Sequence, residues 1–68
     1  MHTDVEKLNS LIESSGLKIN YLASQCGITR AGFYKKRIGK AEWNAHEIAV
    51  LRRELKLSLK QIDEIFLR

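Results

Sequence analysis

Three segments of the sequence carry the signature of a helix N-terminus followed by an apolar stripe. In each, a capping residue precedes Glu or Gln by three positions: Thr3-Asp4-Val5-Glu6, Asn44-Ala45-His46-Glu47 and Ser58-Leu59-Lys60-Gln61. This spacing is that of a capping box, in which each side chain bonds the other residue's backbone N–H. Apolar residues at helical spacing follow all three segments, and the 68 residues contain no proline. The pattern predicts an all-α protein.

Two further short helices are expected in the middle of the chain. One covers roughly 19–26 and stops at Gly27, and the other begins after Thr29 and extends to about Arg37. Three residues, one of them glycine, separate the two helices, a spacing that is typical of the helix-turn-helix unit. The sequence therefore predicts a single domain, residues 1–68, folded as a compact bundle of five short helices with a central helix-turn-helix.

Positive charge is concentrated in the middle of the chain. Residues 18–40 contain six bases and no acid, residues 1–17 carry a charge of −2, and residues 41–68 contain five bases and five acids. The middle segment thus accounts for the whole excess of the formal net charge of +4. Such clustering is typical of a phosphate-binding surface, although a solvated basic face would have the same composition.

The composition also argues against several classes of protein. The single cysteine, Cys26, excludes an internal disulfide, suits a reducing compartment and stands at an apolar position, so we expect a core residue. No apolar run approaches the roughly 20 residues of a membrane span, and the N-terminus is too polar for a signal peptide. We therefore expect a cytoplasmic protein without membrane association. No catalytic constellation or metal-ligand spacing is present, so we expect no enzyme, metal site or cofactor.

The middle segment has the residue spacing of a DNA-binding helix-turn-helix. The small residue, turn glycine, apolar plug and apolar anchor of that unit correspond to Ala23, Gly27, Ile28 and Phe33. With the stretches "GLKINYLASQCGIT", "FYKKRIGKAEW" and "LKLSLKQIDEIF", the chain resembles Cro-like and lambda-repressor-like phage regulators. Within them it is most similar to small phage-associated Cro-like proteins of Gram-positive hosts. The resemblance covers about residues 5–67 and implies a lambda-repressor-like DNA-binding domain.

The resemblance implies that the second helix of the unit enters the major groove of double-stranded DNA. Its outward face is the one opposite Phe33. The residues that we expect to contact DNA are Arg30, Ala31 and Tyr34 at base edges, Thr29 and Lys35 at phosphates or the groove rim, and Lys18, Lys36 and Lys40 at phosphates.

Gly32 and Tyr21 each have two interpretations. A glycine inside a helix costs roughly 1 kcal/mol relative to alanine, so Gly32 either permits close approach of DNA or has no functional reason. Its replacement by alanine is expected to raise the melting temperature. Tyr21 is either half-buried in the core or a phosphate donor, and we expect the core position.

The chain departs from the family pattern at two places. Lys18 and Ile19 replace the threonine and glutamine that usually open the first helix of the unit, and Lys36 replaces an apolar residue. The leading interpretation is a non-enzymatic, Cro-like phage or prophage repressor that binds a partly palindromic operator. The departures favour an alternative, an antirepressor-like module that binds another protein, such as a partner repressor. A third interpretation is an excisionase-like protein that bends DNA.

The C-terminal helix raises the question of oligomeric state. One helix-turn-helix unit contacts only about half of an operator, so we expect a homodimer. The C-terminal helix is more apolar than a monomer of this size needs, and part of it is expected to form the interface. The residues assigned to this interface are Leu59, Ile62, Phe66 and Leu67, beside Ile65. The alternative is that the whole helix folds back to complete the core.

Overall fold

The structure is a computed structural model that describes residues 3–66. It contains five α-helices: α1 Val5–Ser15, α2 Ile19–Cys26, α3 Arg30–Arg37, α4 Ala45–Leu55 and α5 Leu59–Phe66. There is no strand in this part of the chain, so the prediction of an all-α bundle of five short helices is confirmed. No helix within residues 3–66 has the length and apolar character needed to cross a bilayer.

The helices surround one core. α2 packs against both α3 and α4, and α1 packs against α3, α4 and α5. The helices and the segments before α4 and α5 contribute its buried apolar residues, which are Leu8, Ile12, Leu22, Ala23, Cys26, Phe33, Trp43, Val50, Leu51, Leu57, Ile65 and Phe66. Burying a large apolar side chain contributes about 1.5–3 kcal/mol, so this cluster is the main stabilising element of a small domain.

Two of the three capping boxes form as the sequence predicts. Asn44 Oδ1 accepts from the Glu47 N–H at 2.8 Å, and Glu47 Oε1 accepts from the Asn44 N–H at 3.0 Å. Ser58 and Gln61 exchange the equivalent bonds at 3.1 and 2.9 Å. Both boxes satisfy backbone donors that would otherwise be unpaired at the first turns of α4 and α5.

The box predicted at Thr3 is wrong by one residue. The cap of α1 is Asp4, whose carboxylate accepts from the Lys7 N–H at 3.1 Å. A bond from another helix fixes this register, because the Asp4 N–H donates to the Ile65 carbonyl at 2.7 Å. The start of α1 is therefore held against the end of α5.

Phe66, one of the residues expected at the dimer interface, lies in the core of the chain. Its side chain is 5% exposed and its ring lies edge-on to Trp43, with centroids 6.4 Å apart. Ile65 is fully buried and Ile62 packs, partly buried, against the core, whereas Leu59 is 69% exposed. The helix folds back on the core because one stripe of it completes the apolar cluster. Leu67, the other expected interface residue, lies outside the described residues.

Candidate nucleic-acid interface

A tight turn sets the angle between α2 and α3. Gly27 ends α2 with φ of 74°, a left-handed conformation in which a β-carbon is strained. The next N–H, of Ile28, donates to the Ala23 carbonyl at 3.0 Å. Thr29 then begins α3, and its hydroxyl accepts from the Gly32 N–H at 3.0 Å. Every residue of the turn thus has a defined conformational role.

Phe33 fixes the rotation of α3 about its own axis. The side chain is fully buried, and its ring meets Trp43 edge to face with centroids 5.2 Å apart. Aromatic pairs of this geometry contribute beyond their buried area. Ile28, partly buried, packs against the same core. Because Phe33 must point inward, the residues on the other side of α3 must point outward.

The outward face of α3 consists of residues assigned to base and groove contacts. Arg30, Ala31, Tyr34 and Lys35 are all exposed, Tyr34 at 58%. Arg30 and Tyr34, like Ala31 and Lys35, are four residues apart and therefore adjacent on the helix surface. Neither Arg30 nor Lys35 forms an ion pair within residues 3–66. The exposed Thr29 lies at the N-terminal end of this face.

Two of the lysines assigned to phosphates are exposed at the ends of the α2–α3 segment. Lys18 is exposed at the N-cap of α2, where its side chain makes no capping bond. Lys40 is exposed just beyond α3, and its N–H donates to the Lys35 carbonyl at 2.9 Å. Both ammonium groups are without an ion-pair partner in the described part of the chain. Their charges are therefore available to an anionic ligand.

Lys36, the third lysine assigned only to phosphates, differs from Lys18 and Lys40 because it is paired inside the fold. Its ammonium donates to both carboxylate oxygens of Glu47. The Lys36 side chain is 18% exposed and that of Glu47 is 2% exposed. Because an unpaired buried carboxylate is costly, this lysine is held in an internal ion pair.

A second contact, which the sequence did not indicate, holds the end of α3 against α1. Arg37 Nε donates to Asn9 Oδ1 at 2.8 Å, and Asn9 Nδ2 donates to the Arg37 carbonyl at 3.3 Å. The pair is 28 positions apart, and neither residue has a local signal that would reveal it. With the Lys36 pair, it fixes the C-terminal end of α3 to two other helices.

A side chain at position 32 would meet a tight steric contact that the sequence did not indicate. A β-carbon at this position would lie 3.3 Å from Thr29 Oγ1, the atom that caps the Gly32 N–H. Alanine would therefore push on the capping hydroxyl. This contact opposes the expected gain in melting temperature.

Tyr21 is not a core residue, contrary to expectation. It is 42% exposed, and its hydroxyl donates to Glu54 Oε1 at 2.8 Å. That hydrogen bond is the main reason why the pKa of Tyr21 is raised and the pKa of Glu54 is lowered. Arg53 also donates to Glu54, at 3.0 Å, and to Gln25, at 3.3 Å. The four side chains form a polar bridge between α2 and α4.

Cys26 is a core residue, as its apolar position indicates. It is 4% exposed, and burial, followed by the nearby charge of Glu47, raises the pKa of the thiol. A neutral, enclosed thiol has neither the ionisation nor the access that a reactive cysteine needs.

Comparison of the chain with protein-family models, with curated proteins and with solved structures finds no match.

Proposed function

We propose that the protein binds double-stranded DNA sequence-specifically, with α2, the Gly27 turn and α3 acting as a helix-turn-helix and α3 lying in the major groove. The observation that carries the proposal is the outward face of α3. The four exposed side chains of this face lie together opposite the buried Phe33. Its two cations, Arg30 and Lys35, have no ion-pair partner within residues 3–66. A rigidly held helix with such a face suits base recognition, because the backbone needs little further ordering on binding.

The N-terminal half of α3 supplies the base contacts in this proposal. Arg30 donates two parallel hydrogen bonds to the O6 and N7 atoms of a guanine, a contact that discriminates by about 1–3 kcal/mol. The Ala31 methyl packs against a thymine methyl. Tyr34, four residues beyond Arg30, bonds the neighbouring base edge or packs on it.

The phosphate contacts surround these residues. Lys18, Lys35 and Lys40 neutralise phosphates of the flanking backbone and set the register of the helix in the groove. The Thr29 oxygen accepts from the Gly32 N–H, so its hydroxyl hydrogen remains free to donate to a phosphate. Three lysine contacts give a log–log salt slope of about −2.7 for each bound copy, at about 0.9 per contact.

The biological role follows from the resemblance together with this surface. We propose a transcriptional regulator similar to Cro-like phage repressors, which occludes a promoter when two copies bind the halves of a partly palindromic operator. Phe66 takes no part in joining the two copies because it lies in the core. Leu59 remains exposed for that role.

Selection of bound duplexes from a random DNA library tests the proposal. We expect a defined half-site to emerge, with wild-type affinity at least 1,000-fold above that for scrambled duplex, in the usual range of such proteins. Arg30→Ala is expected to lose about 10-fold or more in affinity and to relax one base position. Lys60→Ala, which removes an exposed charge from α5, is the control and should keep the base preference. No enriched sequence, or equal effects of the two substitutions, would contradict the proposal.

A protein-binding module remains the rival interpretation, but the structure removes one of its two supports. Lys36 favoured it by occupying an apolar position, and the ion pair with Glu47 now accounts for that lysine. A salt titration distinguishes the two functions. Specific DNA binding should weaken steeply with salt for the selected site, whereas a protein-binding module should show only shallow, sequence-independent DNA association.

A further inference from the structure

A second basic surface lies on α4 and the turn that follows it. A groove of about 320 Å³ is lined by Ala49, Arg52, Arg53 and Leu57, and the exposed Lys56 follows on the same stretch of chain. We call these five residues the basic groove. Arg52 and Lys56 have no ion-pair partner within residues 3–66, and the Arg53 side chain is 63% exposed despite its contact with Glu54.

The composition of residues 41–68 does not indicate this basic surface. The C-terminal segment contains as many acids as bases, but its acids are unevenly exposed. Glu47 is buried against Lys36, and Glu54 and Glu64 are half-buried and bonded to Tyr21 and Lys7. Arg52, Arg53 and Lys56 remain exposed, so the outer side of α4 carries a net positive charge that composition does not show.

An acidic surface lies on α1. Glu6, Ser10 and Glu13 are all exposed and are spaced at four and three residues, which places them in one stripe about two turns long. Neither glutamate has an ion-pair partner among residues 3–66. The serine between them is small, so another surface can approach the stripe closely. We call these three residues the acidic stripe.

We propose that the acidic stripe of one copy of this chain docks on the basic groove of a second copy. Complementary charge is the reason for this choice of partner: the chain itself presents two unpaired carboxylates at helical spacing and a groove lined by the unpaired Arg52, with the unpaired Lys56 just after it. Ala49 and Leu57 supply an apolar floor at which the contact excludes water.

The geometry of this contact is head to tail. The two surfaces lie on different helices, so a copy that donates its stripe can offer its groove to a further copy, and the association can extend into a row. Neither surface includes the outward face of α3. A row of copies can therefore form on neighbouring DNA sites, a consequence that rests on the proposed function, whereas the contact itself does not.

The contact is expected to be weak and sensitive to salt, because exposed ion pairs are screened and contribute little. Free protein should associate only at about millimolar concentration, and copies bound side by side on DNA reach such effective concentrations. The test therefore uses DNA-free protein at high concentration.

Amide NMR spectra of the 68-residue protein, recorded from low concentration to about 1 mM, test the contact directly. We expect concentration-dependent shifts confined to the acidic stripe and the basic groove, and their loss in high salt. Absence of such shifts, or shifts centred on Leu59, would overturn the proposal.

Charge reversal provides the decisive control. The double variants E6K/E13K and R52E/K56E each carry like charges on both surfaces and should show no association alone. Their equimolar mixture restores both complementary contacts, so the shifts should return. A mixture that behaves like the separate variants overturns the proposal. All four positions are exposed, and circular dichroism checks that each variant is folded.

DNA binding is measured separately with Arg30→Ala, which lies outside both surfaces. Failure of that variant to change DNA affinity counts against the proposed function but leaves the NMR result intact. Conversely, a failed charge-reversal test leaves the DNA interface unaffected.

Discussion

The ammonium of Lys36 donates hydrogen bonds to both carboxylate oxygens of Glu47, joining the last turn of α3 to the first turn of α4. The same carboxylate accepts the Asn44 N–H and so completes the capping box of α4. The buried Glu47 side chain therefore has two roles: it holds α3 through Lys36, and it caps the first turn of α4. The orientation of the proposed recognition helix depends on this pair.

Replacement of Lys36 by methionine tests the energetic importance of the pair. Lys36→Met leaves a carboxylate that is 2% exposed without its cation, and we expect a loss of about 3 kcal/mol in the free energy of unfolding. Urea denaturation followed by circular dichroism measures the loss. Lys35→Met is the control, because Lys35 is an exposed neighbour, and it should stay within about 0.5 kcal/mol of wild type. Equal effects of the two substitutions would show that the pair is unimportant.

The double variant K36M/E47Q separates charge from capping. A glutamine at 47 still presents an oxygen to the Asn44 N–H, but it leaves no buried charge. We therefore expect the double variant to regain most of the stability that Lys36→Met loses. A double variant as unstable as the single one would place the role of Lys36 in packing rather than in charge.

The start of α1 offers a matched comparison of two adjacent capping residues. Asp4 accepts from the Lys7 N–H, whereas Thr3 precedes the cap. Asp4→Ala is expected to cost about 1 kcal/mol, as loss of an N-cap usually does, and Thr3→Ala should cost much less. Thermal denaturation of the two variants measures the difference. A larger loss of stability for Thr3→Ala than for Asp4→Ala would indicate that Thr3, not Asp4, is the cap.

The Tyr21–Glu54 hydrogen bond makes stability depend on pH at both extremes. The hydroxyl of Tyr21 lowers the pKa of Glu54 in the folded state, so this contribution is present at neutral pH and is lost as pH falls below the ordinary value of 4.5. The same bond raises the pKa of Tyr21, so its contribution is present below 10.0 and is lost as pH rises through the higher folded value.

Tyr21→Phe should flatten both ends of this profile. Melting temperature as a function of pH gives the comparison with wild type, and NMR titration of the Glu54 side-chain carboxyl should show its pKa rising towards 4.5 in the variant. Tyr34→Phe is the control, because the Tyr34 hydroxyl bonds nothing within residues 3–66. An unchanged Glu54 titration in Tyr21→Phe would show that the Tyr21 hydrogen bond does not lower that pKa.

Local signals in the sequence predicted the parts of the fold that local interactions determine. The caps at Asn44 and Ser58, the turn at Gly27 and the outward face of α3 follow from spacing alone, because each needs only residues within one or two turns. The cap of α1 did not, because a hydrogen bond to the carbonyl of Ile65 at the end of α5 decides between Thr3 and Asp4.

The charged residues show the limit of such prediction. Lys36 has the same local appearance as Lys35, yet one is paired with a buried carboxylate across a loop and the other is exposed. Glu47 gave a capping signal, and only the packing of α4 shows that it also neutralises a lysine. Which charges remain at the surface is a property of tertiary contacts, so both the pairing of Lys36 with Glu47 and the basic groove required the structure.

Substitutions at Phe66 and Leu59 test two possible roles of α5 independently, its packing in the core and its contact with a second copy. Phe66 is 5% exposed and packs on Trp43, so Phe66→Ala should lower the free energy of unfolding by about 3–5 kcal/mol at every protein concentration. Leu59 is 69% exposed, and Leu59→Ser should stay within about 0.5 kcal/mol of wild type at low concentration. Urea denaturation at two protein concentrations a hundredfold apart measures both. A loss for Leu59→Ser that grows with concentration would identify Leu59 as an interface residue, and a neutral Phe66→Ala would contradict its place in the core.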